Sequence, residues 1–216
     1  MLIERVEALI DERHLLKHPF YTKWTAGAVP RENLQEYARQ YYAFESSFPR
    51  FISAIHSRSD RRDVRQALLD NLWDEEHGEA NHAELWLRFA EALGVPRGDV
   101  LKAGEIETTR DLVETYRRVT TKAPVGAAVA ALYAYERQVP AVAQAKIDGL
   151  RAFYGITEGR GLQFFEVHSA LDIEHAAAER RIVEDLGIQD EGAVLSAASE
   201  ALSAWWRFLD GIDAAA

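Results

Sequence analysis

The segment His168-Ser-Ala-Leu-Asp172-Ile-Glu-His175 places two imidazoles and one carboxylate four and then three residues apart. At about 100° per residue, these offsets bring the three side chains onto one face of an α-helix. Imidazole nitrogen and carboxylate oxygen are ligands of transition metals. The segment therefore predicts half of a metal site, and a dinuclear iron or manganese site would need further carboxylates from facing helices.

Two other predicted helices carry ionisable residues on their apolar stripes. Glu75, Glu79 and His82 continue one stripe at steps of three or four residues, and Glu136 lies alone in the other. Buried carboxylates are costly unless they are paired or bound to a metal. The alternatives are that Glu75 and Glu79 reach water at the edge of the stripe and that Glu136 pairs with Arg137 or another surface arginine.

Together these positions supply three imidazoles and three carboxylates, which suit two divalent ions with positions left open for dioxygen or substrate. The six candidate ligands are Glu75, His82, Glu136, His168, Asp172 and His175. Periodicity alone leaves Glu79 as an alternative to Glu75, since each precedes His82 on the same stripe. A single zinc ion would leave several of these groups buried and unexplained, and a haem would use only one histidine.

Composition limits the classes of function. The 216 residues carry 35 acidic against 25 basic side chains, a net charge of −10 that disfavours a nucleic-acid partner. No cysteine is present, so any metal must be held by nitrogen and oxygen. The N-terminal residues lack the pattern of a signal peptide, and no apolar stretch approaches about 20 residues. We therefore expect a cytoplasmic protein with no membrane partner.

The elements that must position these ligands are helices from end to end, because apolar residues recur every three or four positions without a sustained alternating segment. The pattern predicts seven helices, at about 2–16, 31–57, 61–93, 104–120, 125–149, 158–186 and 190–211, with an irregular link at about 17–30. Pro49 and Pro140 fall inside two of them and predict kinks. Connections are short, so residues 1–216 are expected to form one all-α domain, a seven-helix bundle.

Three segments resemble the heme-oxygenase-like di-metal oxidases, within the group typified by the chlamydial protein associating with death domains. They are Asn71-Leu-Trp-Asp-Glu75-Glu-His-Gly-Glu-Ala-Asn-His82, Tyr133-Ala-Tyr-Glu136 and the motif from His168 to His175. The resemblance implies a heme-oxygenase-like fold and favours Glu75 over Glu79 as a ligand. It also implies two bound ions, iron with iron or iron with manganese, together with dioxygen and an external electron donor.

That group is linked to folate biosynthesis as a source of 4-aminobenzoate. The resemblance implies that the protein's own Tyr21 is oxidatively cleaved to the aromatic product and that Lys146 supplies the amino nitrogen. From the residues alone, Tyr21 would be an aromatic side chain packing the link, and Lys146 an ordinary surface lysine near the end of a helix. Thiaminase-like relatives use a cysteine nucleophile, which this chain lacks.

Two other functions are alternatives to the oxidation of the protein's own tyrosine. One keeps the two metal ions but acts on an external small molecule, by N-oxygenation of an amine or decarboxylation of a fatty acid. The other is an interaction module for death domains, which the acidic surface alone would favour. For a helical oxidase of this size we expect a homodimer.

Overall fold

The chain is helical throughout the ranges that the computed structural model describes, residues 1–157 and 159–215, and these ranges contain no β-strand. The predicted all-α bundle is confirmed. Glu158, the first residue of the predicted sixth helix, and Ala216, the last residue of the predicted domain, lie outside the described ranges.

Twelve α-helices lie in the described part of the chain, and the seven predicted segments map onto them. They are α1 Leu2–Glu12, α2 Pro19–Thr25, α3 Arg31–Glu45, α4 Phe48–Arg58, α5 Arg62–Glu76, α6 His82–Ala92, α7 Arg97–Leu101, α8 Glu107–Lys122, α9 Val125–Glu136, α10 Val139–Phe153, α11 Gln163–Leu186 and α12 Glu191–Asp213. Short 3₁₀ turns occupy Leu15–Lys17, Gly159–Gly161 and Gly187–Asp190.

Three of the predicted long helices are each divided in two. Breaks lie at residues 46–47, 77–81 and 137–138. Pro49 and Pro140 stand in the first turns of α4 and α10, so each begins a new helix rather than kinking an existing one. A proline is tolerated there because the first N–H groups of a helix have no partner within it. The predicted link at 17–30 also contains α2, capped by the side chain of His18.

Helix α9 forms the centre of the bundle. Every residue from Gly126 to Glu136 is buried, because α9 packs against α8, α11 and α12. All twelve helices contribute side chains to one continuous apolar core around it. Among the described residues, no helix has both the length and the apolar character needed to span a bilayer.

Helices α2 and α10 approach each other closely. A Cβ atom at Gly149 would lie 2.6 Å from ring atoms of Trp24, so only glycine fits at this point of α10. The Trp24 indole N–H donates to the Lys146 carbonyl oxygen at 3.3 Å. This contact fixes α2, and with it Tyr21, against the face of α10 that carries Lys146.

Candidate metal centre

The six candidate ligands come from four helices and converge in the interior. Glu75 lies near the end of α5, His82 begins α6, Glu136 ends α9, and α11 carries the other three. Each is between 1 and 8 % exposed. Their charges also shift one another's pKa values, so all six predicted positions lie in one buried region.

The break between α5 and α6 determines which glutamate joins His82. The chain leaves α5 at Glu76 and turns at Gly78 with a φ of +79°, a conformation that favours glycine. His82 Nδ1 then lies 3.0 Å from Glu75 Oε2. Glu79 is exposed in the loop, because 61–93 is not the single helix that placed it on the same stripe.

The histidines of α11 are oriented by hydrogen bonds to one ring nitrogen, which leaves the other nitrogen for a metal. His168 donates from Nδ1 to the Phe164 carbonyl at 2.7 Å, so Nε2 is its free ligand atom. His175 lies with Nε2 3.0 Å from Asp74 Oδ2, which leaves Nδ1 facing Asp172 Oδ1 at 3.6 Å. Outer hydrogen bonds of this kind are typical of metal-bound histidines.

Glu136 is held by an amide. Asn71 donates from Nδ2 to both Glu136 oxygens, at 3.0 and 3.3 Å. Within the described ranges, Glu136 forms no ion pair with Arg137, which was its alternative partner. The asparagine orients the carboxylate without neutralising its charge.

Two buried carboxylates were missed by the sequence analysis. Glu45, at the end of α3, is 3 % exposed, and Glu179, on α11, is 2 % exposed. Ligand atoms of Glu45, His82 and His168 all lie within 4.8 Å of one another. The available signals were weak: Glu45 follows Tyr41 by four residues on an aromatic stripe, and Glu179 follows His175 by four.

Several nitrogen and oxygen atoms that could bind a metal ion in this region have no hydrogen-bond partner among the described residues. None of seven buried atoms has a hydrogen bond within the described part of the chain: Glu45 Oε1, Glu75 Oε2, His82 Nδ1, Asp172 Oδ2, His175 Nδ1 and both Glu179 oxygens. The Glu75 and His82 atoms are close but not aligned as a hydrogen bond. Two ligands of one ion lie about 3–3.5 Å apart when each is about 2.1 Å from it. The separations of 3.0 Å between Glu75 and His82 and of 3.6 Å between Asp172 and His175 therefore fit shared metal ions.

The protonation of the centre depends on burial. Desolvation raises the pKa of Glu45 and of Glu75 well above the usual range and that of Asp172 to about 7. It also lowers the pKa of His168 well below its usual range. For His175, desolvation lowers the pKa, but the nearby carboxylates outweigh it and raise that pKa to about 9. Without a cation, the cluster holds protons that a metal ion would displace.

Tyr21 and Lys146 lie together beside this region. Both are buried, at 2 and 4 % exposure, so Lys146 is not the surface residue that helix periodicity indicates. A cavity of about 10 Å³, room for about one water-sized molecule, touches Tyr21, Lys146 and the candidate ligand His168. The Tyr21 hydroxyl lies 3.2 Å from that of Tyr37.

Five aromatic rings surround the Lys146 amine, with centroids 5.1 to 5.9 Å from Nζ; they belong to Tyr21, Tyr37, Tyr41, Trp86 and Phe165. Burial lowers the pKa of Lys146 to about 7, although the Glu45 carboxylate opposes this shift. A large share of the amine is therefore neutral near pH 7. Burial raises the pKa of Tyr21, so its phenol keeps its proton.

A groove of about 340 Å³ approaches the centre from outside. Pro140, Ile173 and Ala176 line it, Asp172 lies at its inner end, and Arg137 and Arg180 border it. Its volume is far larger than the roughly 10 Å³ of the inner cavity, and each of the two spaces touches one candidate ligand.

The family of the chain follows from its sequence. A family model described as iron-containing redox enzyme matches residues 35–206, which include all six candidate ligands. The chain belongs to this family. It is therefore an oxidoreductase of an iron-containing class, and the buried cluster of histidines and carboxylates is suited to metal binding.

Several curated proteins are similar to this iron-containing redox enzyme in sequence. Proteins named 4-aminobenzoate synthase are 42 % identical in Nitrosomonas europaea, over 97 % of this chain and 89 % of theirs, and 39 % identical in Chlamydia trachomatis, over 96 and 90 %. A pyrroloquinoline-quinone synthase of Pseudomonas aeruginosa is 27 % identical over 74 % of this chain and 66 % of its own.

Solved structures show the same fold at low identity. A TenA homologue from Pseudomonas syringae has a TM-score of 0.82 and 17 % identity, covering 98 % of this chain and 90 % of its own. A protein of Shewanella denitrificans described as having a heme oxygenase-like fold has a TM-score of 0.81, with coverages of 97 and 89 %. The expected heme-oxygenase-like fold is thereby confirmed.

Proposed function

We propose that this enzyme is a dinuclear metal oxidase that forms 4-aminobenzoate from its own Tyr21, with Lys146 as the source of the amino nitrogen. The observation that carries the proposal is the shared cavity, in which Tyr21, Lys146 and the candidate ligand His168 meet. The identity of about 40 % to proteins named 4-aminobenzoate synthase supports the same product.

The ligand set fits two divalent ions of iron, or of iron with manganese. Three imidazoles and a surplus of carboxylates offer nitrogen and hard oxygen donors without thiolate. When bound, such ions would supply the activation of dioxygen, with electrons from an external donor. The protein excludes water from the ligand atoms and orients them. The Phe164 carbonyl orients His168 by a hydrogen bond, and the Asp74 carboxylate orients His175.

The size of the cavity favours an internal substrate. Space of about 10 Å³ accepts a molecule of the size of water or dioxygen but no additional aromatic ring or acyl chain. The Tyr21 ring is already present, so the encounter needs no binding step and gains from proximity. Relative to the tyrosine side chain, 4-aminobenzoate keeps the ring and Cβ, which requires cleavage between Cα and Cβ and oxidation of Cβ to a carboxylate.

Lys146 is suited to give the nitrogen that replaces the phenol oxygen. A bond from Nζ to the ring carbon would form, the phenol oxygen would leave as water, and the Nζ–Cε bond would be broken by an oxidation that uses dioxygen. Burial favours its neutral form, which has the lone pair that an ammonium group lacks. Its Nζ lies 5.7 Å from the centroid of the Tyr21 ring. Each chain would form one product molecule, since Tyr21 and Lys146 are consumed.

Isotope transfer tests this proposal. Protein produced with ring-¹³C tyrosine, or with lysine labelled by ¹⁵N at Nζ, is loaded with iron and manganese and exposed to reductant and oxygen in unlabelled buffer. We expect 4-aminobenzoate that carries each label, and a mass loss in the peptide that holds Tyr21. Tyr21→Phe should abolish the product. Tyr154→Phe, which removes a hydroxyl that accepts the Val29 N–H outside the cavity, is the matched control. Unlabelled product would refute the internal substrate.

The groove beside Asp172 favours one second candidate, an oxidase of an external small molecule. Its volume of about 340 Å³ holds a compound that the inner cavity cannot. Repeated turnover on an added amine or fatty acid, with Tyr21 intact by mass spectrometry, would establish this activity in place of self-sacrifice.

A further inference from the structure

Glu45 is a buried carboxylate outside the six-ligand set. It ends α3, a helix that supplies none of the six ligands, and its next neighbours along the chain are Ser46 and Ser47 at the break before α4. Its Oε1 atom is fully enclosed and has no hydrogen-bond partner within the described ranges. A carboxylate oxygen left in this state is costly, and native structures rarely keep one without a cation or a donor.

We propose that Glu45 is a seventh protein ligand, bound to the same metal ion as His82 and His168. The inference rests on the dinuclear centre of the proposed function and adds a residue to it. Ligand atoms of the three residues lie within 4.8 Å of one another, and all three side chains are buried. Glu75, 3.0 Å from His82, completes this half of the centre.

The two ions then have unequal surroundings. One ion would be held by Glu45, Glu75, His82 and His168. Asp172 and His175, with Glu136 whose charge raises the pKa of His175, would be left for the other. The first set comes from α3, α5, α6 and α11, and the second from α9 and α11. Unequal donor sets are a means by which a protein distinguishes two divalent metals.

Charge balance also favours Glu45 as a ligand. Two divalent ions carry four positive charges, and Glu75, Glu136 and Asp172 provide only three negative ones. Glu45 is the fourth carboxylate and would neutralise the buried centre. No arginine or lysine forms an ion pair with any of these four carboxylates in the described part of the chain. Glu179 could supply the same charge, so it is the proximity of Glu45 to His82 and His168 that assigns this role to Glu45.

The alternative is a purely structural role, in which Glu45 is a protonated acid filling space between α3 and α6. Glu45→Gln separates the two roles, because glutamine has the same shape and no charge. Glu45→Asp keeps the charge but shortens the side chain by one methylene. Glu36→Gln, on the same helix and bonded to Arg39 and Gln40 at the half-buried surface, is the matched control.

The test measures metal binding rather than turnover. Metal-free protein is titrated anaerobically with Fe²⁺ and with Mn²⁺, bound metal per chain is counted by mass spectrometry, and Mn²⁺ signals are recorded by electron paramagnetic resonance. We expect wild type and Glu36→Gln to bind two ions. Glu45→Gln should bind one of them at least about 10–100-fold more weakly, the cost typical of disturbing even an outer-shell partner. The metal affinity of Glu45→Asp should lie between those of the wild type and Glu45→Gln.

Circular dichroism and a thermal melt of the metal-free variants establish folding, and Glu45→Gln should melt no lower than wild type because a buried ionisable group is removed. Two ions bound by Glu45→Gln with wild-type affinity and spectra would overturn the seventh ligand while leaving the proposed function standing. Fewer than two ions in wild type would overturn both.

Discussion

The Nζ atom of Lys146 lies 5.7 Å from the centroid of the Tyr21 ring, although the two residues belong to α10 and α2, which are far apart in the sequence. The contact depends on Gly149, which admits the Trp24 ring against α10. An amine and a phenol held this close, next to a candidate metal ligand, have the proximity that an intramolecular reaction needs.

Substitution of Lys146 should change the dependence of stability on pH. Burial lowers the pKa of Lys146 to about 7, whereas an unfolded lysine titrates near 10.4. Between these pH values the unfolded chain binds more protons than the folded chain, so the free energy of unfolding rises with pH across this window. Below about pH 7 the folded protein bears the full destabilisation of a buried, protonated Lys146. Lys146→Met should stabilise the metal-free protein by about 4 kcal/mol at pH 6 and by much less at pH 10.

Denaturant unfolding at the two pH values measures this difference. Lys102→Met, at an exposed position beyond α7, is the control and should leave stability almost unchanged. An equal gain for Lys146→Met at both pH values would contradict a depressed pKa. In the labelling assay, the same variant should yield no ¹⁵N-labelled 4-aminobenzoate.

Metal affinity should decline in mild acid. Desolvation raises the pKa of Asp172 to about 7, so its carboxyl group takes up a proton below that pH, and a metal ion must then displace it. The apparent affinity should weaken by roughly tenfold for each unit of pH below 7 and for each proton displaced. Isothermal titration with Mn²⁺ at pH 6 and pH 8 measures the effect, and a pH-independent affinity would show that the ligands are already deprotonated.

Asp74→Asn should weaken metal binding without removing a predicted ligand. Asp74 accepts from the outer nitrogen of His175 at 3.0 Å and thereby orients its Nδ1. Loss of such a partner typically costs about 10–100-fold in metal affinity. Asp70→Asn, one turn earlier on α5 and exposed, is the matched control. If both variants bound metal equally well, the hydrogen bond would have no orienting role.

Gly149→Ala should displace α2. The new Cβ atom would meet the Trp24 ring at 2.6 Å, and overpacking of this kind costs about 1–3 kcal/mol. Because Tyr21 lies on the same short helix, the yield of product per chain should fall as well. Gly98→Ala, where a Cβ would meet nothing within 4 Å, should preserve both stability and yield. Urea unfolding and product quantification give the two measurements.

Sequence periodicity placed the motif on α11 because that helix is regular from Gln163 to Leu186. It also grouped Glu75 with His82, although the two flank a loop rather than share a helix. A long apolar pattern does not reveal a break at a positive-φ glycine such as Gly78. The same limitation explains why Glu79 remained a competitor.

Other features depend on contacts between distant segments, which local patterns do not encode. Lys146 follows a helix break at residues 137–138, so its direction relative to Glu136 cannot be counted at 100° per residue. Tyr21 was indicated by resemblance alone, since α2 is too short to have a periodic stripe. Glu45 was overlooked because one carboxylate at the end of an aromatic helix resembles an ordinary surface position.

The narrowness of the inner cavity has a kinetic consequence. A space of about 10 Å³ cannot release an aromatic acid while the helices remain packed. Helix α2 has only seven residues and carries Tyr21, so it is the element whose detachment would open the cavity. The rate at which product appears in solution would then measure local unfolding of α2 rather than the oxidation itself. Low concentrations of denaturant, insufficient to unfold the bundle, would accelerate the release of a product already formed.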